Sequence, residues 1–462
     1  MKRTVSIFLM ALMILPLLFS CAANKGKSPT QSTQGDTTGP VETEPEDNYV
    51  ETEEGAGLRI FVDRKEIKKQ ENSRPYDTAK EDISLILVIG QSNFTHMAGF
   101  AWEYSHYYIK QISPVVPTDP TLPAPGTAYS FNRNTSIFKL NEAHDMSYLS
   151  SPERKTSCIG GVTPAFAKRW NELTGTKVVF IQAAVEATGI HEWVADPQNY
   201  KCNCDNYGGG TCFSLAAMTY KTAYMSLSHD YNIVHTGYIF NQGEHDEKKR
   251  QGATVNDDQS YYDAYKSMHE SFTSLLDLDF GGISVVRANA AGDTKEASTS
   301  YTKARYAQYK LCNDIDNLYM LSTVSETCSR DMMDQGNTVH YSQKVFNDMG
   351  TDMANNLYSR LGLGETNAYD GIKIYAKNGE LLTHIGADGT LLAGTDELTS
   401  KNTDSRILIR SSALGRDDAI SYRLFVDGVD YSKYIDGFGK ITWGSFKSAT
   451  GKDTIKVLVT VR

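Results

Sequence analysis

Between residues 81 and 363 the chain alternates short apolar runs with longer stretches in which apolar residues recur three and four apart. Ile83 to Ile89 is an almost unbroken apolar run closed by Gly90, the pattern of a central parallel strand covered on both faces. Lys177 to Ile181, Ile233 to Phe240, Gly282 to Val286 and Leu318 to Leu321 predict further strands. Thr163-Pro164 starts a helix that runs to about Leu173 and ends at Thr174-Gly175. Helical spacing returns at Tyr261 to Leu276, about Thr302 to Asn313, and Gln343 to Leu361. This alternation predicts an α/β domain over 81–363, a parallel sheet sandwiched by helices with right-handed crossovers.

After Asn367 the pattern changes to short alternating strands separated by Asn378-Gly379, Asp388-Gly389 and Asp427-Gly428, the dipeptides that favour tight hairpins. Residues 367–462 therefore predict a small all-β sandwich of about seven strands. Its aromatic residues Tyr431, Tyr434, Phe438 and Trp443 either fill a core or stack against a sugar. Arg59-Ile60-Phe61-Val62-Asp63 echoes Arg423-Leu424-Phe425-Val426-Asp427, so the extension 56–80 is expected to lend a strand to the β domain.

The amino terminus reads differently. Lys2 and Arg3 precede an apolar run from Ile7 to Phe19, shorter than the roughly 18–20 residues of a membrane span. This is a secretory signal over 1–20. Leu18-Phe19-Ser20-Cys21 resembles the bacterial lipobox, which implies lipidation of Cys21 and an extracytoplasmic, lipid-anchored protein; cleavage near Ser20 or Ala23 as an ordinary signal is the alternative. Residues 21–55 are Thr, Pro, Gly, Glu and Asp rich and cannot bury enough apolar surface to order themselves, so a flexible tether is expected.

Charge and cysteine usage narrow the partners. The net charge of −10 is dispersed and Lys and Arg do not cluster, which argues against nucleic acid. Of the 7 cysteines, setting Cys21 aside leaves Cys158, Cys202, Cys204, Cys212, Cys312 and Cys328, an even remainder that favours disulfides in an exported chain. The Asn and Gly rich run from Cys202 to Cys212 lacks a nearby histidine, so a stapled surface loop is expected rather than zinc. Cys312 and Cys328 are a further candidate pair.

Candidate chemistry centres on Ser92, in the turn Gly90-Gln91-Ser92-Asn93 directly beyond the strongest strand, where sites of open α/β sheets lie. The four residues also suit a plain turn. A serine hydroxyl needs a base, and the base an orienting group. His340, in a polar loop just before the last helix, is the histidine in the best position.

The blocks Gly90-Gln91-Ser92-Asn93, Ile190-His191-Glu192-Trp193, Gln242-Gly243-Glu244-His245-Asp246 and Val339-His340 follow one another at successive strand ends. In that order they resemble the SGNH hydrolases, within them the branch of sialate O-acetylesterases and acetylxylan esterases. The resemblance implies a three-layer, flavodoxin-like fold, Ser92 as nucleophile and His340 as general base. It also implies an oxyanion hole made by the backbone N–H of Ser92, a backbone N–H of the block around Ala187, and the Gln242 side chain. No metal and no cofactor are expected. Acetylated carbohydrate is the implied substrate, with the membrane as partner through the lipid anchor.

Three departures qualify the match. Glu186 and Ala187 stand where the family usually has glycines, and a carboxylate near an anion site would oppose the transition state. Phe240 replaces a tryptophan. Asn337 stands where the histidine's aspartate is expected; in a serine protease the same Asp to Asn change lowers the rate about 10⁴-fold. Glu244 is the favoured acid partner of His340 in its place, and Asp334 is the other candidate. The competing functions are a weak or inactive glycan-binding lipoprotein of the same fold and an esterase for cell-wall or lipid acyl groups.

Overall fold

The computed structural model describes residues 55–64, 74–95, 124, 127–132, 144–145, 161–197, 208–247, 258–287, 301–328, 333, 340–364, 371–375, 381–386, 388–400, 408–411 and 418–461. In chain order the first elements are β1 (Ala56–Arg64), β2 (Glu81–Gly90), β3 (Ala128–Asn132), β4 (His144–Asp145), α1 (Thr163–Thr174), β5 (Lys177–Gln182), α2 (Thr211–Leu227) and β6 (Tyr231–Asn241). There follow α3 (Glu244–Glu247), α4 (Asp258–Leu276), β7 (Phe280–Ser284), α5 (Thr302–Asp314), β8 (Leu318–Ser322) and α6 (Gln343–Arg360).

One sheet has the order β4-β3-β5-β2-β6-β7-β8, with every pairing parallel except the β3–β4 edge. Strand β2 is central because its side chains serve both faces. Ile83, Leu85, Leu87 and Ile89 join one core with α2, α4 and α5 residues such as Tyr220, Tyr265 and Leu311. Ile86 and Val88 join the other with Phe166 and Trp170 of α1 and Phe346 and Met349 of α6. All six are 1% exposed or less, each contributing roughly 1.5–3 kcal/mol by burial. Ser84 on the same strand is buried and accepts a hydrogen bond from Trp170 Nε1 at 2.9 Å. The chain places β5 on one side of β2 and β6 on the other, and such a switch opens a crevice at the carboxyl ends of the strands.

The remaining elements are β9 (Ile372–Tyr375), β10 (Leu381–Ile385), β11 (Leu391–Gly394), β12 (Glu397–Thr399), β13 (Leu408–Ser411), β14 (Asp418–Val426), β15 (Val429–Asp430), α7 (Trp443–Thr450) and β16 (Thr454–Val461). They form two sheets, β12-β16-β1-β14-β15 and β11-β10-β9-β13, around a shared core that includes Leu58, Ile374, Leu424, Trp443 and Phe446. Strand β1 pairs antiparallel with β14, Arg59 opposite Arg423 and Phe61 opposite Ser421; the two similar segments are neighbours. Trp443 is 6% exposed, Tyr431 and Tyr434 both pack on Phe446, and Phe438 lies edge-on to Tyr262 of α4. These aromatics fill the core and its junction with the α/β layer. At that junction Ile420 N donates to Asn313 Oδ1 of α5 at 2.8 Å.

The described cysteines correct the expected pairing of Cys312 with Cys328. Among the described residues no disulfide joins Cys212, Cys312 and Cys328. Cys312 packs in the core on the α2/α4/α5 face, whereas Cys328 packs against the core on the α1/α6 face, so the sheet separates them. Burial pushes the Cys328 thiol up to about 12, which makes it unreactive as well as unpaired. Cys158, Cys202, Cys204 and the lipidation candidate Cys21 lie outside the described residues.

Candidate active site

The serine turn is built by a close crossing of two strands. Gly90 has φ of 119°, and a Cβ there would stand 2.3 Å from Asn241 O at the end of β6, so only glycine fits. Gln91 N donates to that same carbonyl at 3.0 Å, which binds the turn to β6. Residues Ser92–Phe94 then form a single 3₁₀ turn, closed by Phe94 N to Gln91 O at 2.8 Å and Thr95 N to Ser92 O at 3.1 Å. Phe94, 1% exposed, anchors it in the α1/α6 core. Gln91 and Asn93 are buried on either side, while Ser92 between them is half-buried. The turn thus presents the serine and hides its neighbours.

Beneath the turn lies Glu244, at the start of α3 and 1% exposed. Its carboxylate accepts Gln91 Nε2 and Asn93 Nδ2, the latter at 3.3 Å, and stands 4.0 Å from Arg287 Nε. Asn93 Oδ1 in turn accepts the backbone N–H of Tyr341 at 3.3 Å. Tyr341 is fully buried and directly follows His340, which is half-buried. Asn93 is therefore covalently next to the serine and hydrogen-bonded to the residue next to the histidine, with Glu244 holding its other end. Asn337 and Asp334 lie outside the described residues.

Across the crevice the β5 end is tied to the β6 end. Gln242, fully buried, donates from Nε2 to Thr188 O at 2.9 Å and to Asp246 Oδ2. Its Oε1 accepts from Tyr261 OH at 3.2 Å. Both amide hydrogens are thus directed into the protein, and donation to an oxyanion requires one of these bonds to exchange. Asp246 also takes Ile190 N at 3.1 Å, and Glu192 takes Gly189 N at 2.8 Å, so two buried carboxylates fix the loop after β5. Within that loop Ala187 is exposed and has φ of 54°, a left-handed conformation that costs a non-glycine residue about 1 kcal/mol or more. Burial raises the pKa of its half-buried neighbour Glu186.

Helix α5 backs this wall: Gln308 Nε2 donates to Gln242 O at 2.7 Å, and Glu247 Oε1 accepts Ala304 N at 2.7 Å. Sequence reasoning named Ser92, Gln242, Glu244 and His340 but missed the roles of Gln91, Asn93, Asp246 and Arg287. The first three stand inside the quoted motifs. Arg287 follows directly on the apolar run ending at Val286, and a cation just beyond a strand end was its available signal. Among the described residues no group of three or more His, Cys, Asp or Glu side chains could hold a metal ion.

Among solved structures, the chain is similar to a protein of Arabidopsis thaliana at 15% identity, covering 60% of this chain and 96% of that one, with a TM-score of 0.41. A carbohydrate acetylesterase from Xanthomonas citri matches at 13% identity over 75% of this chain and 77% of that one, TM-score 0.37. NanS matches at 12% identity over 62% and 98%, TM-score 0.38. No curated protein sequence matches. The family described as carbohydrate esterase, sialic acid-specific acetylesterase, matches residues 82–359, more than half of the chain and the whole of the crevice just described, and the protein belongs to that family.

Proposed function

We propose that the protein is a serine esterase that removes O-acetyl groups from a carbohydrate. The observation that carries this reading is the half-buried Ser92 at the end of the central strand, joined through Asn93 to the segment bearing His340. In the proposed reaction Ser92 Oγ attacks the acetyl carbonyl carbon while His340 takes its proton. The sugar hydroxyl then leaves with that proton, giving an acetyl-enzyme. Water, deprotonated by His340, releases acetate and restores the serine. The backbone N–H groups of Ser92 and Ala187 receive the oxyanion, with Gln242 as a third donor once one of its present bonds exchanges. Glu244 supplies the site's buried negative charge, and its link to the histidine segment runs through Asn93.

Acetate release from acetylated methyl xyloside and O-acetylated sialic acid, beside Ser92→Ala and His340→Ala controls, tests the reading; equal rates in wild type and Ser92→Ala would sink it. A second reading, a glycan-binding protein with little activity, draws on the engaged amide of Gln242 and on Asn337 in place of an acid. Glycan binding by wild type with no acetate release would favour it. Comparing acetylated xylan, sialic acid and peptidoglycan separates sugar from cell-wall substrates. For the amino terminus we propose a lipid anchor at Cys21, tested by whether Cys21→Ser releases the protein from membranes.

A further inference from the structure

Glu186 is a charged group at the crevice that the reaction above does not use. The β2–β5 ladder continues past the end of β5 to the last residue of β2, through Ala183 N to Val88 O and Val185 N to Gly90 O, each at 2.9 Å. Glu186 therefore directly follows Val185, whose N–H is bonded to the residue that opens the serine turn, and lies at the crevice edge beside that turn. Val185 and Thr188 are buried, and Glu186 and Ala187 are the residues of this turn that reach the surface. The other carboxylates at this edge are committed: Glu192 to Gly189 N, Asp246 to Ile190 N, Glu247 to Ala304 N and Glu244 to Asn93. Glu186 has no hydrogen-bond or ion-pair partner among the described residues, and Arg287, a cation just beyond the β7 end, is 1% exposed beside Glu244.

We propose that Glu186 sets the charge selectivity of the esterase site, favouring neutral acetylated sugars, whose hydroxyls its carboxylate accepts, and disfavouring acetylated sugar acids. The inference rests on Ser92 being the nucleophile. A half-buried carboxylate with no counter-ion among the described residues is a group that a neutral hydroxyl donor satisfies and a second carboxylate repels. Burial also raises its pKa, since a desolvated carboxylate is less stable in its charged form. A like charge about 7 Å away, in surroundings between protein and water, lowers binding roughly tenfold. The effect fades as salt shortens the screening length.

The test uses substrates that differ only in charge: the methyl glycoside of 9-O-acetylated N-acetylneuraminic acid against its carboxyl methyl ester, and 4-acetoxybenzoate against methyl 4-acetoxybenzoate. Acetate release gives kcat/KM for each member. Wild type is expected to favour the neutral member about tenfold at low salt, and Glu186→Gln to reduce that ratio to within about twofold, as does 1 M salt on wild type. A ratio unchanged in Glu186→Gln, or a wild-type preference for the acid, overturns the inference while leaving the esterase reading intact. Acetate release no faster than in Ser92→Ala from all four compounds overturns both. If the sialyl pair alone is inert, the aryl pair decides.

Discussion

Replacing Glu244 by glutamine probes the buried carboxylate that joins the serine turn to Arg287, just beyond β7. The side chain is 2% exposed and faces two amide donors and one guanidinium. A hydrogen bond to a charged acceptor contributes about 1.5–3 kcal/mol, against about 0.5–1.5 to a neutral one, so loss of the charge weakens two bonds. The new NH₂ group also points a donor at a donor. Arg287 loses the carboxylate 4.0 Å away, and removing one partner of a buried ion pair costs about 3–5 kcal/mol. These effects share atoms and do not add, so the expected destabilisation is about 3–5 kcal/mol. Urea unfolding followed by the fluorescence of buried Trp170 and Trp193 measures it, and acetate release should fall at least ~10²-fold. The pair Glu244→Leu with Arg287→Met should regain much of the stability without the activity. A stability loss below ~1 kcal/mol for Glu244→Gln would refute the reasoning.

Other outcomes follow from the same geometry. Asn93→Ala should lower kcat more than it raises KM, because it cuts the bridge between Ser92 and Tyr341 N; a pure KM effect would contradict that role. Gly90→Ala should destabilise by on the order of 3 kcal/mol, since its Cβ meets Asn241 O at 2.3 Å; unfolding at the wild-type urea midpoint would contradict it. His269 is buried between Tyr238 OH and Asn317 Oδ1, and burial lowers its pKa from 6.5 to about 4. The unfolded chain therefore binds this proton more readily, so the stability is present above pH 6.5 and is lost as pH falls towards 4, by about 3 kcal/mol. The slope of unfolding free energy between pH 4.5 and 6.5 should flatten in His269→Asn. Alkylation under denaturing, non-reducing conditions should label Cys212, Cys312 and Cys328; protection of any of them would place it in a disulfide.

The α/β layer was legible where burial was complete. Strand β2 reads as a continuous apolar run because successive residues enter opposite cores, and α1 carries Pro164 near its start and Gly175 at its left-handed C-cap. Helix α2 escaped because its exposed face carries Met218 and Met225, 58% and 74% exposed, which blurs the helical period. The β layer was expected with about seven strands and contains 9 among the described residues, β1 included. At the site, motif order located Ser92 and Gln242. The Glu244–Asn93–Tyr341 chain joins residues 151 and 248 positions apart, a relation that only the assembled sheet creates. The candidate pair Cys312 and Cys328 failed for a similar reason, since pairing depends on which face of the sheet each thiol enters.

The central claim is that Ser92 is the acylated nucleophile. Reaction of the purified protein with a fluorophosphonate, followed by peptide mass mapping, tests it most directly. One adduct per chain on Ser92 is expected, with loss of acetate release in proportion to labelling and no adduct in Ser92→Ala. Adduct on another residue, or undiminished acetate release from protein fully labelled at Ser92, would contradict it.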